Sequence, residues 1–416
     1  RGVDEDELVV IRGHRDVLYQ ELGAVRRQEL HVRSARYIRQ LIDAGDEDRW
    51  SVYATHLQAA GSDHRNDAIA AWEASAARAH QRLAFDDTAQ CLERALDAFG
   101  EGPKFDPIAR CKLQLHYAMA LLLAGNAEAG HQHCREVFAT AQTLEDPVLM
   151  SEAALTYGTT LVVAHVDKEL VGMLQECLDR LPDENVAFCA RVKARLAAAL
   201  QPAIDPTEPI AMANEAIALA RTLDDEDVLF AVLRSGISAL MDFAPAKERI
   251  SLNREFGELA AARGNLAERF RSYLRLMVDA IETADRTLYE QSIDAAEQIA
   301  KRIDLPHYLW RTESLRATQA IAEGRFELAL ELIGRAQVNA DRANDLDATI
   351  TLPLQRFAVH IDWDDARAPT MDDIEGQLQR AYKCGMAGAE FFVAPILAAY
   401  TSKEDASTAR HMFCLL

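Results

Sequence analysis

Five arginines recur at a regular interval between residues 195 and 356. They stand about forty residues apart and are Arg195, Arg234, Arg275, Arg316 and Arg356. Guanidinium groups at matched positions of adjacent helices would hold a carboxylate, a phosphate or an acidic peptide by paired hydrogen bonds. The alternative is structural: each arginine lays its aliphatic stem over an apolar seam and pairs with a local carboxylate. The pattern favours the structural alternative, and an anion-binding site at these arginines is kept as the second hypothesis.

Other residues that could support catalysis or metal binding lack the necessary spacing. His131 and His133 are two residues apart, which turns them to different faces of a helix, whereas metal ligands on a helix need a spacing of three or four. The His-Arg-Asp triplet at 14–16 matches part of a protein-kinase catalytic loop, but Glu21 stands where the metal-binding Asn belongs. The sequence contains no phosphate-binding loop, zinc-protease motif or nucleophile elbow. We therefore predict no catalytic residue, no metal site and no cofactor in this segment.

The composition favours an acidic, mainly helical chain. Its 416 residues include 45 Lys and Arg against 66 Asp and Glu, for a formal net charge of −21. Such a chain repels a phosphate backbone, so we expect no direct binding of nucleic acid by this segment. The seven cysteines form no C-x-x-C pair, which is typical of a reducing compartment, and no apolar run is long enough for a membrane span. We expect a fragment or processed form of a cytoplasmic protein, because the chain starts without Met or a signal peptide.

Helical periodicity runs through almost the whole chain, and the segment 325–343 shows it well. Its apolar residues recur at steps of three and four, namely Phe326, Ala329, Leu330, Ile333, Ala336 and Ala340. This spacing places them on one face of a helix. Gly324 separates this helix from another over 308–323, and so short a turn requires the two helices to lie antiparallel.

Chain breaks containing Asp, Gly or Pro repeat at intervals of roughly 37 to 42 residues. Each interval holds one helix pair, which is typical of an α-solenoid, because a single pair cannot bury both of its apolar faces. Asp106 and Asp146, each followed by Pro, match the start signal of a helix, with Asp as the N-cap and Pro at the first helical position. We predict an all-α fold, a right-handed superhelix of antiparallel helix hairpins with a period of about 40 residues.

The stretch Gly324–Ala336 resembles the second half of a tetratricopeptide repeat (TPR). An aromatic residue follows the turn, and alanines stand where the two helices would cross closely. The period of this chain is longer than the thirty-four residues typical of that family. In this respect it resembles the extended repeats of bacterial STAND-class signal-transduction ATPases, including maltose-regulator-like transcription factors and cyclase-associated ATPases.

Residues near the start resemble the junction at which the winged-helix domain of those ATPases leads into the repeat arm. The matching segments are Arg15–Leu22, Arg26-Arg27, His31, Tyr53–Gly61 and Trp72–Ala79. The resemblance implies that Leu8–Ile11 is a strand remaining from the winged helix. It also implies three regions: residues 1–45 as the winged-helix end and linker helix, 46–104 as the first helical repeats, and 105–416 as the TPR-like superhelix. Nucleotide binding would lie outside this segment.

The resemblance and the missing catalytic motifs together predict a non-catalytic sensor arm. Such an arm would bind a protein, a peptide or a small anionic effector, and would bias an attached switch by binding one of its states better. The first alternative is a passive scaffold for protein–protein interaction. A less favoured alternative is an enzyme with its active site in the groove of the repeats. We expect no membrane partner, and self-association is left open.

Overall fold

A computed structural model of the protein describes residues 19–100, 106–159, 166–241, 243–343, 345 and 347–363. Every regular element within these ranges is a helix. The all-α fold class is therefore confirmed for this part of the chain. The predicted strand Leu8–Ile11 and the His-Arg-Asp triplet at 14–16 lie outside the described residues, as does the first half of the matching segment Arg15–Leu22.

The chain divides into two units, Arg1–Thr160 and Leu161–Leu416. The helices of the first unit are α1 (Ala24–Asp43), α2 (Trp50–Ala59), α3 (Arg65–Gln81), α4 (Phe85–Phe99), α5 (Pro107–Leu123), α6 (Ala127–Thr143) and α7 (Pro147–Tyr157). Single 3₁₀ turns at Glu47–Arg49 and Ser62–His64 precede α2 and α3. This division falls within the predicted repeat array, and the region boundaries predicted near residues 45 and 104 stay predictions.

In the second unit, helix pairs follow one another along the chain at an almost constant interval. Its helices are α8 (Lys168–Arg180), α9 (Val186–Ala199), α10 (Thr207–Arg221), α11 (Glu226–Leu240), α12 (Ala246–Ala262), α13 (Leu266–Glu282), α14 (Arg286–Ile303), α15 (Pro306–Ala322), α16 (Phe326–Ala343) and α17 (Ala348–Trp363). Helices α9, α11, α13 and α15 begin at successive intervals of 40 residues, and α17 begins 42 residues after α15. Short turns join each of these four to the next helix, which makes the pairs antiparallel. The predicted hairpin period of about forty residues is confirmed.

Capping Asp residues and glycines mark where several helices begin and end. The side-chain oxygens of Asp106 and Asp146 accept hydrogen bonds of 2.9 to 3.1 Å from backbone N–H groups in the first turns of α5 and α7, and Pro follows each Asp. Gly125, Gly264 and Gly324 end three helices with φ of +87°, +63° and +73°. Glycine adopts this left-handed conformation without steric penalty. The two predicted start signals are confirmed.

Alanines occupy the contact between α15 and α16. On α16, four of the residues predicted to share a face are 0 to 2% exposed: Ala329, Ile333, Ala336 and Ala340. The other two, Phe326 and Leu330, are partly buried against the same core, to which Trp310 of α15 contributes. The apolar face predicted for this helix is therefore confirmed.

Gly130 of α6 marks a close helix contact in the first unit. A Cβ atom at this position would lie 2.7 Å from Leu122 Cγ and 3.0 Å from the carbonyl oxygen of Ala118, both on α5. We expect Gly130→Ala to lower the free energy of unfolding by about 1 kcal/mol or more, because the two helices must separate. Urea unfolding of the full chain measures this change.

Gly334 of α16 offers the matched control, since a Cβ there would meet nothing within 4 Å. Gly334→Ala is expected to raise the free energy of unfolding by roughly 0.5–1 kcal/mol, because alanine loses less backbone entropy in a helix. Stabilisation by both substitutions would contradict the close contact at Gly130.

Candidate functional site

Two consecutive repeats of the second unit bring three arginines around one carboxylate. Arg234 lies on α11, and Arg271, Arg275 and Glu268 lie on α13. Arg234 Nε is 3.0 Å from Glu268 Oε1, and Arg271 Nε is 3.3 Å from Glu268 Oε2. Glu268 therefore bridges guanidinium groups of two neighbouring repeats. We call these four residues the arginine recess.

Arg275 inserts between α11 and α13 without a carboxylate partner among the described residues. Its Nη2 donates a hydrogen bond of 3.1 Å to the carbonyl oxygen of Arg234, and a second to Ser238 Oγ. Its guanidinium carbon lies 5.7 Å from the ring centre of Phe256. Within the described part of the chain, its buried Nη1 has no hydrogen-bond partner. A buried donor of this kind is unusual, since most such groups in folded proteins are paired.

Burial changes the acid–base properties of the recess. The Arg275 side chain is 7% exposed, and burial, followed by the charge of Arg271, lowers its pKa to about 9. Burial also lowers the pKa of Arg271, against the attraction of Glu268, although 44% of the Arg271 side chain is exposed. Arg271 is thus the accessible member of the recess and Arg275 the buried one.

Helix α15 lies next to the recess, and its Arg311 faces two carboxylates. Arg311 lies 2.6 Å from Asp345 Oδ2 and 2.8 Å from Asp347 Oδ2. Burial raises the pKa of Asp345, but hydrogen bonds from His307 and Arg311 outweigh it and hold that pKa well below its usual range. Tyr308 packs edge-on against Phe270 of α13, with ring centres 5.1 Å apart. The arginine recess therefore has more guanidinium groups than carboxylates, whereas Arg311 beside it faces two carboxylates.

The five arginines singled out in the sequence have different surroundings. Arg234 and Arg275 belong to the recess. Burial lowers the pKa of Arg195 to about 10, and the charge of Arg234 is the second cause, which places Arg195 beside the recess. Arg316 binds Asp294 and Glu297 of α14, and Arg356 is exposed on α17.

The sequence analysis missed Arg271 and Glu268. Their signal is their spacing from Arg275, because residues three, four and seven positions apart share one face of a helix. A search for charged residues on the same helical face as each repeating arginine would have found both.

The histidines considered as metal ligands make other contacts. The ring of His131 stacks on Tyr157 with centres 4.0 Å apart. His133 Nδ1 lies 3.1 Å from Gln114 Nε2 and 3.5 Å from Glu136 Oε2. In the residues that the structure describes, no group of three or more His, Cys, Asp or Glu side chains is arranged to hold a metal ion.

A buried ionic network lies one turn beyond Arg275 on α13. Arg249 Nε of α12 donates to Asp279 Oδ1 at 2.7 Å, and Asn253 Nδ2 donates to Asp279 Oδ2 at 2.7 Å. Arg249 also binds Glu282 and the carbonyl oxygen of Ala244, which precedes α12. The side chains of Arg249 and Asp279 are both 1% exposed. This network fixes α12 against α13 and so supports the helix that carries the recess.

The fold and the recess define an all-α helical-repeat protein with a cluster of arginines between two neighbouring repeats. No protein-family model and no curated protein matches the chain. Among solved structures, it is similar to the apo form of RapI, with a TM-score of 0.47 and 9% identity over 83% of this chain and 96% of that chain. It is also similar to yeast Tom70, with a TM-score of 0.32 and 12% identity over 88% and 90%. These values assign neither a family nor a function.

The helices were also compared with the length and hydropathy that a membrane span requires. In the described ranges, no helix is both long enough and apolar enough to cross a membrane.

Proposed function

We propose that this chain is a non-catalytic helical-repeat domain that binds an acidic segment of a partner protein in the arginine recess. The observation that carries the proposal is a local excess of positive charge in a chain of net charge −21. Arg234 and Arg271 share the carboxylate of Glu268, and Arg275 beside them has no carboxylate partner among the described residues. A structural role alone would be expected to pair each buried arginine with its own carboxylate.

Desolvation of the recess adds a reason for an anion to bind. Burial disfavours the charged forms of Arg271 and Arg275, whose pKa values are both lowered. An anion placed beside them would favour those charged forms and would accept the buried N–H of Arg275. A carboxylate entering the recess therefore meets donors that are already oriented and partly stripped of water.

We also propose that the domain is the regulatory arm of a larger STAND-type signalling protein. The support is the resemblance of Gly324–Ala336 and Tyr53–Gly61 to the repeat arm of that family and to its junction with the ATPase. Binding of the acidic segment would favour one state of an attached ATPase and shift its population. A passive scaffold, in contrast, would bind the segment equally in every nucleotide state of the longer protein.

A five-residue glutamate peptide, fluorescently labelled and titrated with the full chain, tests the binding site. Arg271→Glu reverses the accessible charge of the recess, and we expect at least a tenfold weaker binding of the peptide, about 1.4 kcal/mol. Arg302→Glu, on the exposed surface of α14, makes the same change in net charge. Its peptide affinity is expected to stay within about twofold of the unmodified chain.

The comparison of the two variants decides the outcome. Equal losses from Arg271→Glu and Arg302→Glu would show that net charge alone governs binding. Failure of the unmodified chain to bind the peptide would remove the proposed function.

A further inference from the structure

We infer that the arginine recess is built for a phosphate monoester dianion, carried by a phosphorylated side chain within the acidic segment. The inference rests on the proposed function and names the group that the recess recognises. It follows from the number of charges, the number of hydrogen-bond donors and the position of the buried guanidinium group.

The four residues of the recess carry a net charge of +2 between them. Arg234, Arg271 and Arg275 contribute three positive charges, and Glu268 cancels one of them. Arg311 next to the recess has two carboxylate partners of its own, Asp345 and Asp347. One carboxylate would leave a positive charge uncompensated in a desolvated place, whereas a phosphate monoester carries about −1.5 to −2 at neutral pH.

The arginines of the recess come from two helices. Arg234 approaches from α11, and Arg271 and Arg275 approach from α13 one turn apart. A carboxylate offers two oxygens in one plane, and a single arginine is sufficient to match them. A phosphate monoester offers three acceptor oxygens in a tetrahedral arrangement, which suits donors from several directions.

Arg275 has a buried donor that a bound anion could satisfy. Its side chain is 93% buried, and its Nη1 is buried without a hydrogen-bond partner among the described residues. Its Nη2 is held by Ser238 and by the carbonyl oxygen of Arg234, which fixes the orientation of the guanidinium group. The remaining N–H groups are therefore positioned before any ligand binds, and this reduces the entropy lost on binding.

Four peptides that differ at one position test the inference on the full chain. The central glutamate of the five-residue peptide is replaced by phosphoserine, by serine, or by phosphoserine whose phosphate carries a methyl ester. We expect the phosphoserine peptide to bind at least tenfold more tightly than the all-glutamate peptide. The methyl ester keeps the tetrahedral shape but has only one negative charge, so it is expected to lose most of this gain.

Substitution in the recess should remove the gain and leave the rest of the chain intact. Arg271→Gln is expected to bind the phosphoserine and glutamate peptides with similar affinity, whereas Arg302→Gln keeps the tenfold difference. Arg271 is exposed enough for the substitution to be tolerated, and circular dichroism verifies that the variant folds.

Several outcomes would overturn the inference. Equal affinity of the glutamate and phosphoserine peptides, with both dependent on Arg271, would define a carboxylate site and leave the proposed function standing. Tight binding of the methyl ester would refute the need for a dianion. Binding of inorganic phosphate more tightly than the phosphoserine peptide would identify a free phosphorylated molecule, rather than a modified protein, as the ligand.

Discussion

Arg249→Met is expected to lower the free energy of unfolding by about 3–5 kcal/mol, because it leaves Asp279 buried without its cationic partner. Methionine keeps most of the side-chain volume, so the loss reports charge rather than a cavity. Asp279 would retain only the hydrogen bond from Asn253 among those described above. Urea unfolding of the full chain, followed by circular dichroism, measures the change.

A double substitution separates the buried charge from general damage to the core. Arg249→Met combined with Asp279→Leu removes both charges, and this variant is expected to be more stable than Arg249→Met alone. The exposed pair of Arg286 and Glu290 is the matched control, and Arg286→Met should change stability by less than about 1 kcal/mol. If the double variant is the least stable of the set, the network contributes through packing and not through paired charge.

Arg275→Met is expected to raise the free energy of unfolding by about 1–3 kcal/mol and to abolish anion binding. The charged form of Arg275 is less favourable in the folded chain than in the unfolded chain, because burial and the charge of Arg271 lower its pKa to about 9. Below that pH the charge therefore destabilises the fold. Methionine removes it, at the loss of two hydrogen bonds to Ser238 and Arg234 worth about 1 kcal/mol each.

Thermal unfolding and peptide titration of the same variant test both parts of this prediction. A gain in stability with a loss of binding is typical of a binding site whose residues are strained in the absence of ligand. A less stable variant would mean that the guanidinium group serves mainly as a structural link between α11 and α13. Unchanged peptide affinity would show that Arg275 takes no part in binding the peptide.

The sequence was sufficient for the fold but only partly for the site. The period of about forty residues, the Asp-Pro helix starts and the buried face of α16 depend on interactions within one helix or one hairpin. Such local rules can be applied to the sequence directly. The surroundings of an arginine depend on which residues a neighbouring helix places opposite to it, and this needs the packing of the helices.

Arg316 and Arg275 illustrate the difference. The carboxylates that bind Arg316 stand 22 and 19 residues before it, at Asp294 and Glu297 on the preceding helix. At the same distances before Arg275 the chain has Asn253 and Phe256. Two arginines at matching positions of successive repeats therefore differ in their partners, and of these two Arg275 alone keeps a buried donor with no hydrogen-bond partner among the described residues. The spacing of the arginines alone does not contain this distinction.

The arginine recess is a local cationic cluster on an acidic chain, and this affects how a charged partner approaches it. At distances beyond about 10 Å an approaching polyanion experiences repulsion from the net charge, and it experiences attraction only once its charged group reaches Arg271. Long anionic polymers are therefore turned away before contact, while a short segment with one concentrated charge can enter. Added salt screens the distant repulsion more than the attraction at contact, so ionic strength would govern the speed of encounter more than the lifetime of the complex.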